Sequence, residues 1–186
     1  MERGNFADFL NALREFESGV SLARIEQNRD DVVRQVGQER FEAFEAGQLT
    51  LTDLQYSSSN FLGFVGYQFG EAILTDLGYY RSDSSPGVND FAGGFTGKNG
   101  VNSIDDLKTN VQEQIILDEF QLNLQRIESG LANSGQSLDD FIGRIVTVTD
   151  TDGSVAAAEL TLTGILASAH LRGAFGTLDF LLNNSN

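Results

Sequence analysis

Apolar residues recur at helical spacing near the start of the chain. They are Phe6, Phe9, Leu10, Leu13 and Phe16. This spacing places the side chains on one face of an α-helix. Asn5 is a suitable N-cap, and Asp8 stands three residues later, where its carboxylate can complete the cap. The pattern predicts a first helix that ends near Gly19.

The next helical pattern starts at Ser21 and continues to about Ala46. Its apolar stripe is narrow and charged residues surround it, which favours a projecting or broken helix rather than a core element. Gly47 is expected to end it. A short helical stretch then opens at Thr52 and Asp53.

The middle of the chain alternates helical patterns with glycine-rich segments. Residues 68–77 are predicted to be helical up to Gly78. Residues 81–100 are rich in Ser, Gly and Asn and hold the only proline, Pro86, so they are predicted to form a loop. Ser103 and Asp106 resemble a capping box and should open a long helix that ends near Asn133.

Near the C-terminus the spacing of apolar residues changes from helical to alternating. Ser137 is predicted to cap a short helix, and residues 144–162 alternate in a way typical of a β-hairpin, with its turn at Asp152-Gly153. Thr163 should cap a helix from Gly164 to about Arg172, and a last segment follows from 177 to 182. The fold class predicted is mainly α, one domain over 1–186 with a small β-hairpin.

Charge and composition narrow the classes of partner. The formal net charge is −15, and Lys98 and Lys108 are the only lysines. A negatively charged surface of this kind disfavours binding to nucleic acid and to anionic membranes. No apolar run is long enough to cross a bilayer, so membrane insertion is not expected. Cysteine is absent and His170 is the single histidine, so one chain cannot form a metal site from thiols or from several histidines. We expect no metal site and no cofactor.

Three segments stand in a suggestive order. They are Glu17-Ser18-Gly19, the glycine-rich stretch 63–69 and the stretch 165–174, with Thr96-Gly97-Lys98-Asn99-Gly100-Val101-Asn102-Ser103 between the last two. The order resembles the lytic transglycosylase and goose-type lysozyme superfamily. It is closest to a phage and bacterial subgroup that carries the sequence of residues 66–71 and a similar 96–103 loop. Such segments also occur in secreted proteins with calcium-binding repeats.

The resemblance implies a lysozyme-like domain that cleaves peptidoglycan or a related amino-sugar polymer. Glu17 would be the general acid and base, because a glutamic acid in an apolar pocket can hold its proton near neutral pH. Phe16 and the 164–172 helix would supply the apolar surroundings. Gly63 follows Glu17 by 46 residues, farther than in ordinary members, so a charged helical insertion is placed at about 20–55.

The resemblance also implies a glycan partner and a secreted or cell-envelope location, with a cytoplasmic one left open. The oligomeric state is not indicated. Tyr67, Gln68, Glu71 and His170 are the candidate substrate-binding residues, and His170 stands where the family carries tyrosine. The alternative is a catalytically inactive lysozyme-like binding or structural module of a secreted calcium-binding-repeat protein.

Several of these residues have a plainer interpretation. Glu45 is the second choice for the catalytic acid. His170 can equally be a core histidine with a partner, and Glu71 a capping or surface charge. Glu128-Ser129-Gly130 repeats the tripeptide at 17–19 and indicates a helix end.

A short acidic segment resembles half of a calcium-binding loop. It is Asp150-Thr151-Asp152-Gly153-Ser154, but its glycine comes too early and Glu159 falls short of the twelfth position. A hairpin turn is therefore favoured over a calcium site.

Overall fold

The computed structural model describes residues 5–83, 88–149 and 153–183. The fold is mainly helical, with 60% of the chain in helices, which confirms the coarse fold class. The chain divides into two compact units, Met1–Leu117 and Asp118–Asn186. The prediction of one lysozyme-like domain over 1–186 stays a prediction.

The first unit is built from short helices. They are α1 (Phe6–Ser18), α2 (Leu22–Gln27), α3 (Arg29–Val36), α4 (Gln38–Glu45), α5 (Leu51–Ser57), α6 (Glu71–Asp76) and α7 (Ile104–Leu107). The loop predicted at 81–100 contributes to a small antiparallel sheet of β1 (Tyr80–Arg81) and β2 (Gly94–Phe95). A short 3₁₀ turn at Lys98–Gly100 follows. Helix α8 (Gln112–Asn133) begins in this unit and ends in the second.

Helix α1 forms as its sequence predicts. The Asn5 side chain accepts a hydrogen bond from the Asp8 backbone N–H, and the Asp8 carboxylate accepts one from the Asn5 N–H. Gly19 ends the helix with a φ of 64°, a left-handed conformation that glycine adopts without steric cost. The same reciprocal cap recurs at Thr50 and Asp53, where α5 begins.

The charged segment after α1 is broken, as predicted, but it belongs to the core. Asn28 separates α2 from α3, and Gly37 separates α3 from α4. One hydrophobic cluster of the first unit consists of Val20, Val32, Val36, Phe41 and Leu54. The expectation of a non-core element was wrong, because a narrow apolar stripe suffices when α3 and α4 bury their apolar side chains Val32, Val36 and Phe41.

The long helix expected after Ser103 is also interrupted. Ser103 caps α7 by accepting from the Asp106 N–H, as predicted. The chain then leaves the helical path between Leu107 and Gln112 before α8 continues to Asn133. The Glu128-Ser129-Gly130 tripeptide lies inside α8. Its interpretation as a helix end was therefore wrong. Gly130 allows close packing instead, because a Cβ at this position would stand 2.1 Å from a methyl carbon of Leu178.

The second unit contains the predicted hairpin and the last helix. Strands β3 (Ile145–Thr149) and β4 (Val155–Glu159) pair antiparallel, with Ile145 opposite Glu159. Ser137 caps a 3₁₀ turn. Helix α9 (Leu162–Asn183) is kinked at Gly173, whose φ is 76°. Its first turn is capped by Thr161, which accepts from the Gly164 N–H, not by Thr163 as predicted.

The core of the second unit comprises residues from α8, α9 and the chain between them. Its buried members include Ile127, Leu131, Phe141, Ile165, Ala169 and Leu181. Pro86 and the acidic pair Asp150 and Asp152 lie outside the described residues. Within the described ranges, no helix combines the length and apolar character that a membrane span requires.

Candidate functional site

Glu17 lies in the last turn of α1 and is buried, with 8% of its surface exposed. Ser18 stabilises the helix end, because its hydroxyl contacts the Glu15 carbonyl and accepts from the Val20 N–H. Gly19 then turns the chain away. The Glu-Ser-Gly tripeptide therefore ends a helix and places a carboxylate in a largely buried position.

The glycine-rich stretch reaches the end of α1 through Gln68. The Gln68 side-chain nitrogen donates to the backbone carbonyl of Glu17 at 2.6 Å. The Gln68 side-chain oxygen accepts from the Asn60 amide at 2.6 Å. Gln68 also adopts a φ of 62°, which is uncommon for a non-glycine residue and requires support from its surroundings. The end of α1 and the glycine-rich stretch, which the family resemblance pairs, are therefore in direct contact.

One turn before Glu17, Arg14 organises a buried polar network. Its Nε donates to Gln55 Oε1 at 2.9 Å, and its two terminal nitrogens donate to Glu113 Oε1 at 2.6 Å and to Asn11 Oδ1 at 2.7 Å. The Gln55 nitrogen in turn donates to the Val20 carbonyl at 2.9 Å. Arg14 is 7% exposed, and a buried charge of this kind is stable only when it is paired and hydrogen-bonded.

Two tyrosines complete this network. The hydroxyl groups of Tyr56 and Tyr67 lie 2.7 and 3.0 Å from the same Glu113 oxygen that Arg14 contacts. Burial, together with the Glu113 carboxylate, raises the pKa of Tyr56 and the pKa of Tyr67 above the ordinary range. Burial alone would lower the pKa of Arg14, but Tyr67, Tyr56 and Glu113 offset it and the pKa of Arg14 is raised.

The glycines of the 63–70 stretch are required by close contacts. A Cβ on Gly66 would stand 1.9 Å from Gln112 Oε1. Gln112 is fully buried and holds three backbone groups, since it accepts from the Tyr67 N–H and donates to the carbonyls of Tyr56 and Leu107. The glycine at 66 therefore makes room for the side chain that joins this stretch to the start of α8.

Glu71 anchors a loop. It is fully buried, its Oε1 accepts from the Phe91 N–H at 2.6 Å, and its own N–H donates to the Asn89 side chain at 2.9 Å. Asn89 also lies so close to Gly63 and Gly70 that neither could carry a Cβ without a clash. Glu71 is therefore neither a surface charge nor a helix cap, since its carboxylate binds the 88–91 loop and α6 has no side-chain cap; its role in substrate binding stays a prediction.

His170 lies in the second unit and contacts a carboxylate. Its Nδ1 is 3.0 Å from both Glu119 oxygens, and the two side chains are only 6% and 5% exposed. Asn123 donates to Glu119 Oε1 at 3.3 Å. A buried histidine with a carboxylate partner is the plainer of the two interpretations of His170. Its role in substrate binding stays a prediction.

The structure argues against the predicted roles of Glu45, as the alternative acid, and of Phe16, as the apolar shield of Glu17. Glu45, the second choice for the acid, forms an ion pair with Arg29 at 2.8 Å in which both side chains are about half exposed, so it lacks the burial of Glu17. Phe16 was expected to shield Glu17, but it is 71% exposed. The adjacent position on a helix points about 100° away, so sequence proximity was misleading here.

Sequence reasoning missed the residues that hold this site in place, namely Arg14, Gln55, Asn60, Gln112 and Glu113. One signal was available. Arg14 occupies helical spacing between the apolar Leu10 and the candidate Glu17 on α1, so a charged residue lay on the inward face and needed a partner. Nothing in the sequence identified which carboxylate that partner would be.

Comparison of the chain with models of protein families, with curated proteins and with solved structures finds no significant match. Among the residues the structure describes, no group of three or more histidine, aspartate or glutamate side chains is arranged to hold a metal ion.

Proposed function

We propose that this protein cleaves peptidoglycan or a related amino-sugar polymer, with Glu17 as the general acid and base. The observation that carries the proposal is the hydrogen bond from the Gln68 side chain to the Glu17 carbonyl at 2.6 Å. It joins a buried glutamate at a helix end to a glycine-rich stretch, which are the two elements that the resemblance to lytic transglycosylases pairs.

The burial of Glu17 supports this chemistry. Cleavage of a glycosidic bond requires a proton for the leaving oxygen, and a carboxylic acid shielded from water is suited to supply it. In the mechanism that the resemblance implies, the glutamic acid first protonates the leaving oxygen and the resulting carboxylate then acts as base, while the acetamido group of the sugar assists. No second carboxylate is needed on that route.

The surroundings of Glu17 also support a fixed geometry. Gln68 holds its carbonyl, and Gln55 holds the carbonyl of Val20 three residues later. Positioning of a proton donor relative to the substrate is a large part of enzymatic rate enhancement.

The test is the variant Glu17→Gln, which is nearly isosteric and lacks the acidic proton. Because general acid–base catalysis contributes about two to four orders of magnitude in rate, release of glycan fragments from peptidoglycan should fall by about that factor. The melting temperature should stay near the wild-type value, and the assay is fragment release measured by chromatography.

The chain offers a matched control in Glu128, which stands in the second Glu-Ser-Gly tripeptide and is exposed on α8. Glu128→Gln should leave fragment release unchanged. Wild-type protein that releases no fragments but binds the polymer would contradict the enzymatic proposal and support the inactive binding module. Activity that survives Glu17→Gln would contradict the assignment of Glu17.

A further inference from the structure

The orientation of the Asn60 side chain is dictated by two backbone groups. Its Oδ1 accepts from the N–H groups of Leu62 and Phe64 at 2.9 and 3.1 Å. A backbone N–H can only donate, so the amide oxygen must face these two groups and the amide nitrogen must point the other way.

This polarity is transmitted to Gln68. The Asn60 nitrogen donates to the Gln68 oxygen at 2.6 Å, which leaves the Gln68 nitrogen facing the carbonyl of Glu17, also at 2.6 Å. A carbonyl can only accept. Of the four combinations of the two amide orientations, only this one satisfies every donor and acceptor in the chain from Leu62 and Phe64 to Glu17.

The last acceptor is a group that α1 cannot satisfy itself. The final carbonyls of a helix have no intrahelical N–H partner, and Glu17 lies in the last turn of α1. A parallel arrangement acts just beyond the helix. The Arg14 Nε–H, which can only donate, orients Gln55 so that its nitrogen meets the Val20 carbonyl.

From this geometry we infer that Asn60 is a positioning residue for Glu17. It sets the polarity of the Gln68 amide, and the Gln68 amide fixes the backbone from which the Glu17 side chain projects. The relay of hydrogen bonds is a property of the fold alone. Its consequence for catalysis rests on the proposed function.

The variant Asn60→Asp isolates this role. Aspartate keeps an oxygen for the N–H groups of Leu62 and Phe64, so the loop retains its own bonds, but its second oxygen cannot donate to Gln68. The Gln68 amide should then turn its nitrogen toward position 60 and its oxygen toward the Glu17 carbonyl, where two acceptors repel. Asn133→Asp, at the exposed end of α8, is the matched control.

The relay itself is tested without any activity. In ¹⁵N-labelled protein, the side-chain amide protons of Gln68 should exchange slowly with solvent in the wild type. Their resonances should move and their exchange should accelerate in Asn60→Asp but not in Asn133→Asp. Unchanged Gln68 resonances in a folded Asn60→Asp protein would overturn the inference.

The catalytic consequence has a separate readout. We expect kcat to fall about ten- to a hundred-fold in Asn60→Asp with little change in KM, and the acid limb of the kcat–pH profile to shift. Gln68→Glu, which keeps the acceptor for Asn60 but removes the donor to Glu17, should lower kcat in the same way and serves if Asn60→Asp does not fold. Because Gln68 is also a candidate substrate-binding residue, an unchanged KM is not required of this variant.

The two possible failures are distinguishable. An active wild type whose kcat and pH profile are unaffected by both variants would overturn the positioning role. An inactive wild type would remove the proposed function, and the Gln68 resonances alone would then decide whether Asn60 orients the amide.

Discussion

A single carboxylate oxygen shows how much depends on individual residues in this protein. Glu113 Oε1 lies within hydrogen-bond distance of Arg14, Tyr56 and Tyr67. Arg14 and both tyrosines are buried, so the oxygen satisfies three polar groups that would each be costly to leave without a partner. Substitution of Glu113 by an apolar residue is therefore expected to destabilise the first unit.

The tyrosines lead to a prediction about alkaline pH. A phenol whose pKa is raised in the folded state gives up its proton more readily when the chain unfolds. Its contribution to stability is fully present below the ordinary pKa of 10.0 and is lost as the pH rises from there toward the folded-state pKa. The free energy of unfolding should thus fall as the pH rises above about 10, as measured by denaturant titration at a series of pH values.

Tyr67→Phe provides the control for this prediction. The variant loses the hydroxyl that contacts Glu113, Arg14 and the Leu10 carbonyl, at a cost of about 1 kcal/mol for each hydrogen bond. It also removes one of the titrating groups, so its stability should depend less steeply on pH in the same range. An equal slope in the two proteins would contradict the assignment. Tyrosinate absorbance can follow the titration directly, because the chain has no tryptophan.

At the scale of elements, the glycine-rich stretch 63–70 contacts the end of α1, the 88–91 loop and the start of α8. Gly66 illustrates its requirement for small residues. It combines a positive φ of 58° with a missing Cβ that would stand 1.9 Å from Gln112 Oε1. Gln112 cannot move aside freely, since three backbone groups depend on its amide.

Gly66→Ala should therefore be much more destabilising than a comparable change elsewhere. Gly47 is the matched control, because its φ is 71° and nothing lies within 4 Å of where a Cβ would stand. Gly47→Ala should lose only the backbone strain of about 1 kcal/mol. Gly66→Ala should lose at least about 2 kcal/mol more through the displaced Gln112 hydrogen bonds. Equal losses in denaturant unfolding would show that the contact is unimportant.

The charge of the whole molecule gives a further prediction. With a formal net charge of −15, the folded chain holds many carboxylates closer together than the unfolded chain does. Salt screens this repulsion over a distance of about 10 Å at 0.1 M. The melting midpoint measured by calorimetry should therefore rise with NaCl concentration.

Some acidic groups already have local partners that oppose this effect. Asp31 is paired with Arg24 and Arg34, and Asp106 accepts hydrogen bonds at the start of α7. A midpoint that stays flat or falls with added salt would mean that such compensation is complete. A second series of melts with a chelator would then show whether a bound divalent cation contributes.

The elements that the sequence determined by itself are those whose signals are local. Helix α1 needs only Asn5, Asp8 and Gly19 at its ends and an apolar stripe between them, and the β3–β4 hairpin needs only alternation around a turn. Each of these signals acts through neighbours a few residues away. The charged segment after α1 was expected to be projecting or broken, but the positions of its breaks, at Asn28 and Gly37, came only from the structure.

Only the tertiary structure decided how Glu17 is held. Arg14 donates hydrogen bonds to Gln55 and to Glu113, which lie 41 and 99 residues away in the sequence. Gln68 donates to the Glu17 carbonyl, which lies 51 residues away. Many polar residues in the sequence could have supplied these partners. The choice among them depends on which side chains the folded backbone brings within hydrogen-bond distance, and on the requirement that buried polar groups be satisfied.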